Sequence, residues 1–268
     1  MGMTDSLSRL ADPYDRQARL YPALLAIAPA VLTASSLYGA HASLLTSGTA
    51  ILVSCGMMFW LANMARDRGK TLEPELFNTW GGKPSVQLLR HRNLQVDAVT
   101  KQRYHAALSS GMRIEFPSPA FEERDSARAD AVYESATKWL LERTRDTRRY
   151  ALLFKENISY GFRRNMLGLR SYGAGISTIA LAWAVAASGL VQANYSIVEL
   201  RRILDIPPTN LIAIVGSGLL LVMWLTGTTK GRVKIAAFAY AERLLAACES
   251  FNEAQPTART IKKSKAKT

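Results

Sequence analysis

Long stretches without charged side chains dominate the hydropathy pattern of this chain. No Asp, Glu, Lys or Arg occurs in residues 20–65, 171–198 or 206–229. A helix needs about 20 mostly apolar residues to cross the hydrocarbon core of a membrane. The first stretch therefore predicts two membrane-spanning helices, and each of the other two predicts one.

Turn and helix-breaking residues set approximate bounds for these four spans. The predicted spans cover residues 22–38, 43–64, 172–197 and 209–226. The last begins after Pro207 and Pro208, since proline interrupts a preceding helix. Buried helices of a soluble protein are the alternative, but soluble cores rarely contain several charge-free stretches of this length.

The remaining sequence predicts a small, mostly helical domain between the second and third spans. Helical periodicity indicates one helix that includes residues 86–104, a second that starts near Asp130, and a carboxy-terminal helix over about 232–251. Apolar and charged residues alternate over 112–116, which predicts one short strand. The predicted fold is therefore mostly all-α, in four segments: residues 1–65, 66–170, 171–229 and 230–268.

The distribution of charge predicts the orientation in the membrane. The formal net charge is +13, and its whole surplus falls in residues 66–170, with 20 basic and 13 acidic side chains, and 230–268, with 9 and 3. Cytoplasmic segments carry the excess of Lys and Arg in membrane proteins. Both charged segments and the amino terminus are therefore predicted to be cytoplasmic. Cys55 and Cys248 should accordingly be free thiols.

Arginines at positions 145, 148 and 149 follow i, i+3 and i+4 spacing, which places them on one face of a continuous helix. That face would lie about 30 Å from the membrane, beyond a Debye length of about 10 Å. It is either a solvated helix face or a site for a phosphate-rich ligand. Nearer the third span, Arg163, Arg164 and Arg170 are predicted to contact anionic lipid.

The sequence contains little that indicates catalysis. It has no Walker loop, no G-x-S-x-G elbow and no histidine spacing typical of zinc sites, so no catalytic residue, metal or cofactor is predicted. A pore needs only polar or small residues along a helix of an oligomer. One stripe of the second span fits this description, although small residues also serve helix packing; its members are Thr46, Thr49, Val53, Gly56, Trp60 and Asn63.

The middle region contains four short runs: residues 80–84 (WGGKP), 88–93 (LLRHRN), 144–146 (TRD) and 156–165 (ENISYGFRRN). Together these runs resemble the membrane pore components of Hailong-type bacterial anti-phage defence systems. The resemblance covers about residues 75–170 and the arrangement of the spans.

The resemblance implies a homo-oligomeric ion pore of the bacterial inner membrane. We take four subunits as the working stoichiometry. Single-stranded DNA oligomers made by a partner nucleotidyltransferase would hold the pore closed, and their destruction by a phage nuclease would open it. The residues then expected to bind DNA phosphates are Arg90, Arg92, Arg145, Arg148 and Arg149. Two alternatives stay open: a non-channel membrane scaffold that recruits an acidic protein or anionic lipid, and a membrane enzyme.

Overall fold

A computed structural model describes residues 12–39, 44–189 and 206–251 of the 268-residue chain. All regular secondary structure in these ranges is helical, which confirms the mostly all-α prediction for this part of the chain. In chain order the helices are α1 (Tyr21–Tyr38, preceded by a π-helical segment Asp15–Leu20), α2 (Leu44–Trp80), α3 (Pro84–Leu89), α4 (Ala98–Met112), α5 (Pro119–Arg124), α6 (Ser126–Arg143), α7 (Ala151–Ala187), α8 (Pro208–Val222, continued by a π-helical segment Met223–Gly227) and α9 (Lys230–Ala246, continued by a 3-10 helix Ala247–Phe251).

Side-chain caps mark where α4 and α6 begin. The carboxylate of Asp97 accepts the backbone N–H of Thr100 at 2.9 Å at the start of α4, and Asp125 caps α6 in the same way. Such caps satisfy N–H groups that have no partner within the helix. The predicted helix over 86–104 is therefore two helices, α3 and α4, joined by a turn.

The predicted strand over residues 112–116 is wrong. Met112 is the last residue of α4, and Arg113 adopts a left-handed conformation with φ 57°. The N–H of Ile114 then reaches back to the carbonyl of Ser109, and the Ser109 hydroxyl donates to the carbonyl of Ile114. The alternating apolar and charged residues here lie in the segment that follows the end of α4. Arg113, in its left-handed conformation, closes the last turn of that helix.

The described helices contribute to two compact units. We call the first, drawn from Met1–Glu73 and Gly161–Val233, the apolar unit. The second, drawn from Pro74–Tyr160 and Lys234–Thr268, is the charged unit. The predicted segment boundaries at 66 and 170 fall inside α2 and α7, and each of these helices contributes residues to both units.

Two helices of the apolar unit are long and apolar enough to cross a membrane. They are Asp15–Tyr38 and Pro208–Gly227, and they are the two that qualify among the described residues. They correspond to the first and fourth predicted spans. The second and third predicted spans fall on α2 and α7, and residues 190–197 of the third lie outside the described part of the chain. The two qualifying helices share a buried hydrogen bond of 3.0 Å between the hydroxyls of Thr33 and Ser217.

Helices α2 and α7 approach each other closely at a pair of glycines. A Cβ on Gly168 would lie 2.8 Å from the backbone nitrogen of Gly69. Beside this contact Arg164 forms an ion pair of 2.5 Å with Glu73, and the amide of Asn165 donates to the carbonyl of Ala18 at 2.7 Å. Because Arg164 is buried within the protein, its predicted contact with anionic lipid is wrong.

The charged unit has its own apolar core, to which the carboxy-terminal helix contributes. Leu88, Leu108 and Leu140 are fully buried there, together with Leu244 and Leu245 of α9. Cys248 is also buried in this core, while Cys55 is exposed on α2. Both are free thiols, as the sequence predicted.

Candidate nucleic-acid interface

The turn between α6 and α7, residues 144–150, carries the arginines that the sequence placed on a helix; we call it the arginine turn. Helix α6 ends at Arg143. The carboxylate of Asp146 accepts the backbone N–H groups of Arg148 at 2.9 Å and Arg149 at 3.1 Å. These hydrogen bonds hold the pKa of Asp146 below its ordinary value, and the bond from Arg149 has the larger effect. The prediction that Arg145, Arg148 and Arg149 share one face of a continuous helix is therefore wrong. These arginines lie in a turn between two helices, and the carboxylate of Asp146 holds the backbone of that turn.

Each arginine side chain of the turn is exposed and carries charge that its surroundings leave largely uncompensated. Arg145 pairs with Glu142 at 2.6 Å, but both side chains are more than half exposed, at 75% and 62%. Exposed pairs of this kind contribute less than about 1 kcal/mol. The side chain of Arg148 makes no hydrogen bond or ion pair with a described residue, and Arg149 lies over the ring of Tyr150 at 5.4 Å.

An aromatic layer supports the arginine turn from within the charged unit. Phe251 packs edge-on against Trp139 at 5.7 Å, and its ring lies tilted against that of Tyr150 at 6.4 Å. The guanidinium of Arg143 covers Trp139, 4.0 Å from the ring centroid. A Cβ on Gly111 would meet the same indole at 2.5 Å, so α4 packs directly on it. Trp139 is thus packed on several sides by other residues of the charged unit. It does not present a free ring face on which a nucleic-acid base could stack.

The two other predicted DNA contacts lie on a different turn, between α3 and α4, and only one of them is exposed. Arg90 donates to both carboxylate oxygens of Asp130, from Nε at 2.8 Å and from a terminal nitrogen at 2.6 Å, and also to the carbonyl of Gly81 at 2.9 Å. The hydrogen bond to Asp130 raises the pKa of Arg90. Arg92 is exposed. Arg90 is therefore engaged inside the unit, while Arg92 is open to solvent.

A buried carboxylate next to these residues organises the turn between α3 and α4. Glu122 is 4% exposed and accepts the N–H of His91 and the hydroxyl of Tyr133, both at 2.8 Å. Burial alone would raise the pKa of Glu122, but these hydrogen bonds and that from the N–H of Arg92 outweigh it and lower the pKa. Glu122 is thus an ionised carboxylate that fixes the backbone of the turn.

Lys101 and His105 on α4 complete this network. The Lys101 ammonium donates to the carbonyls of Arg90, at 2.8 Å, and of Asn93, and burial lowers its pKa. A ring nitrogen of His105 lies 2.8 Å from the carbonyl of Leu89, and burial lowers the pKa of His105 to about 4. Every polar group named here has a partner, so the network holds the fold together and does not present a reactive group. The described residues contain no cluster of three His, Cys, Asp or Glu side chains suited to a metal ion.

Sequence reasoning missed this network because its members are far apart along the chain. Glu122 meets His91 across 31 positions, and Arg90 meets Asp130 across 40. A local spacing rule detects only neighbours on one helix or strand. The one feature of the sequence that could have pointed to this network was the presence of carboxylates in the middle region.

The predicted pore-lining stripe is only partly described. Thr46 and Thr49 lie outside the residues whose side chains are described. Val53, Trp60 and Asn63 are exposed, and a Cβ on Gly56 would meet nothing within 4 Å. In the single chain these positions are available for contact with another surface.

Comparisons with known proteins add no family assignment. No protein-family model, curated protein or solved structure matches this chain.

Proposed function

We propose that this protein is an oligomeric ion pore of the bacterial inner membrane, gated by single-stranded DNA oligomers bound to the charged unit. The observation that carries the proposal is the arginine turn. Arg145, Arg148 and Arg149 project exposed guanidinium groups from one turn, with Asp146 as its only acidic residue, and that carboxylate is bound to the turn's own backbone. Guanidinium groups in such an arrangement suit phosphate oxygens.

The membrane part of the proposal has four spans, which include α1 and α8 together with parts of α2 and α7. The two qualifying apolar helices support it. Because four helices in one subunit enclose too little space for a channel, conduction requires a homo-oligomer, here taken as a tetramer.

The DNA part of the proposal is tested by binding of a labelled deoxyadenylate oligomer to the full chain purified in detergent. We expect binding that weakens steeply as salt rises, since bound cations are released. Combined Arg145→Gln, Arg148→Gln and Arg149→Gln substitutions should weaken binding and reduce the magnitude of the salt slope by about 2, at roughly 0.7 per single-strand phosphate contact.

A matched control removes the same charge elsewhere in the charged unit. The substitutions Arg113→Gln, Arg124→Gln and Arg128→Gln change three exposed arginines outside the arginine turn. They should leave most of the affinity intact. Binding that ignores salt, or equal losses in the two triple variants, would remove the arginine turn from the proposal.

A membrane scaffold that recruits an acidic protein or anionic lipid is the second candidate, favoured by the same exposed arginines. Ion flux in liposomes separates the two functions. A DNA-gated pore gives flux that rises when a nuclease destroys the bound oligomer, whereas a scaffold gives no flux with or without DNA.

A further inference from the structure

Three exposed arginines of the apolar unit converge on the segment where its last apolar helix ends. Arg170 of α7 donates to the carbonyl of Leu225 at 2.9 Å, in the π-helical segment that ends α8. Two helical turns earlier, Arg163 reaches the carbonyl of Arg232 at 3.4 Å. A terminal nitrogen of Arg232 in turn lies 3.9 Å from the position of a Cβ on Gly227. The three guanidinium groups therefore gather around residues 225–232.

The contacts that orient these arginines do not neutralise them. A carbonyl oxygen is uncharged, and each guanidinium keeps further N–H donors after making one such bond. None of the three forms an ion pair with a described acidic residue, since the carboxylates of Asp15 and Glu73 pair with other arginines. The sequence has no acidic residue in 157–198 or 206–241. The cluster thus presents net positive charge to its surroundings.

An exposed apolar stripe leads along α8 to this cluster. Leu211, Val215, Leu219 and Val222 follow spacings of four, four and three residues, and each is about half exposed or more, up to 66% at Leu219. From Leu211 to Leu225 the helix rises about 21 Å, which is more than the roughly 15 Å of one leaflet and is therefore long enough to accommodate an acyl chain. Leu225, whose carbonyl accepts a hydrogen bond from Arg170, is also 49% exposed and follows Val222 by three residues, so the apolar stripe extends to the cationic cluster.

We propose that this surface binds one anionic phospholipid, with the phosphate against Arg163, Arg170 and Arg232 and an acyl chain along the α8 stripe. A free phosphate ion matches the arginines but leaves the stripe uncovered, so charge and shape together favour the lipid. The inference rests on the membrane part of the proposed function and is independent of DNA binding. It assigns to exposed arginines a role that the buried Arg164 does not share.

Native mass spectrometry of the full chain in neutral detergent tests the proposal. Phosphatidylglycerol and phosphatidylcholine are added in equal amounts, and retained lipid is counted. We expect preferential retention of phosphatidylglycerol, reduced about tenfold or more by combined Arg163→Gln, Arg170→Gln and Arg232→Gln substitutions. The Arg113→Gln, Arg124→Gln, Arg128→Gln control should retain the preference. Equal retention of both lipids, or equal losses in both variants, would overturn the site.

Further arms separate a lipid site from a soluble-phosphate site and from misfolding. A variant with Arg163→Lys, Arg170→Lys and Arg232→Lys keeps the positive charge. Its preferential retention of phosphatidylglycerol should therefore return to within a few-fold of that of the original protein. If it does not return, charge is not what binds the lipid. Inorganic phosphate at the lipid concentration should not displace phosphatidylglycerol; displacement would assign the arginines to soluble phosphate. Incorporation into lipid nanodiscs checks the premise, since failure there overturns both the membrane proposal and this site.

Discussion

At the residue scale, what each arginine can do depends on the group that faces it. Arg90 is engaged by Asp130 and Arg164 by Glu73, whereas the side chain of Arg148 has no hydrogen-bond or ion-pair partner among the described residues. A guanidinium already bound to a partly buried carboxylate would have to leave that carboxylate unpaired in order to bind a ligand, which costs free energy. The exposed arginines are therefore the ones suited to binding an anion.

His105 makes the stability of the charged unit depend on pH. Its pKa is about 4 in the folded protein because the ring is buried, against an ordinary 6.5. Below pH 6.5 the unfolded chain takes up a proton that the folded chain does not, so the free energy of unfolding falls between pH 6.5 and pH 4. At pH 5 the loss relative to pH 7 is about 2 kcal/mol.

Hydrogen exchange of the full chain measures this effect through protection factors of the α4 amides at pH 7 and pH 5. Protection should drop about thirtyfold, the equivalent of 2 kcal/mol. In a His105→Gln variant the difference between the two pH values should shrink markedly. The same pH dependence in both proteins would show that another group is responsible.

At the element scale, helix ends and helix contacts decide the local arrangement. α6 stops at Arg143, and the carboxylate of Asp146 then binds two backbone N–H groups of the turn. In the carboxy-terminal helix Ile235 is 68% exposed, while Ala241 and Leu244 are buried. Periodicity identified the helix, but its buried face depended on the surface against which it packs.

The contact between α2 and α7 predicts a specific effect of adding a methyl group. In Gly168→Ala the new Cβ would press against the backbone of Gly69 and Arg68, so the helices must separate. We expect destabilisation of about 1 to 3 kcal/mol, seen as a lower Tm of the protein in detergent. Gly175→Ala on the same helix has open space around its Cβ and should be neutral or stabilising, since alanine favours helix. A Gly168→Ala variant as stable as Gly175→Ala would contradict the close contact.

At the scale of the whole molecule, the surplus of positive charge has more than one structural role. Some of it lies on the arginine turn of the charged unit, and some lies where the apolar unit's last helix ends. The positive-inside rule accounts for the side of the membrane on which such residues lie. It does not account for three arginines on one turn or for three others around residues 225–232.

The proposed topology predicts which residues a membrane-impermeant maleimide reaches from outside the cell. In a background with Cys55→Ser and Cys248→Ser, the substitution Asp205→Cys, in the turn between the third and fourth predicted spans, should give a protein that reacts in intact cells. A cysteine at Arg92, in the charged unit, should react only after the membrane is permeabilised. Reaction of both in intact cells, or of neither before permeabilisation, would contradict the four-span arrangement.

The sequence alone determined the helical class, the charge-free stretches and the surplus of Lys and Arg, because these depend on composition and on periodicity within a few turns of helix. The tertiary structure decided which charges are neutralised. Arg164 meets Glu73 across 91 positions, and Arg90 meets Asp130 across 40. Hydrogen bonds and ion pairs act over about 3 Å in space whatever the separation along the chain. Only the folded arrangement therefore distinguishes the arginines that hold the protein together from those left to bind a ligand.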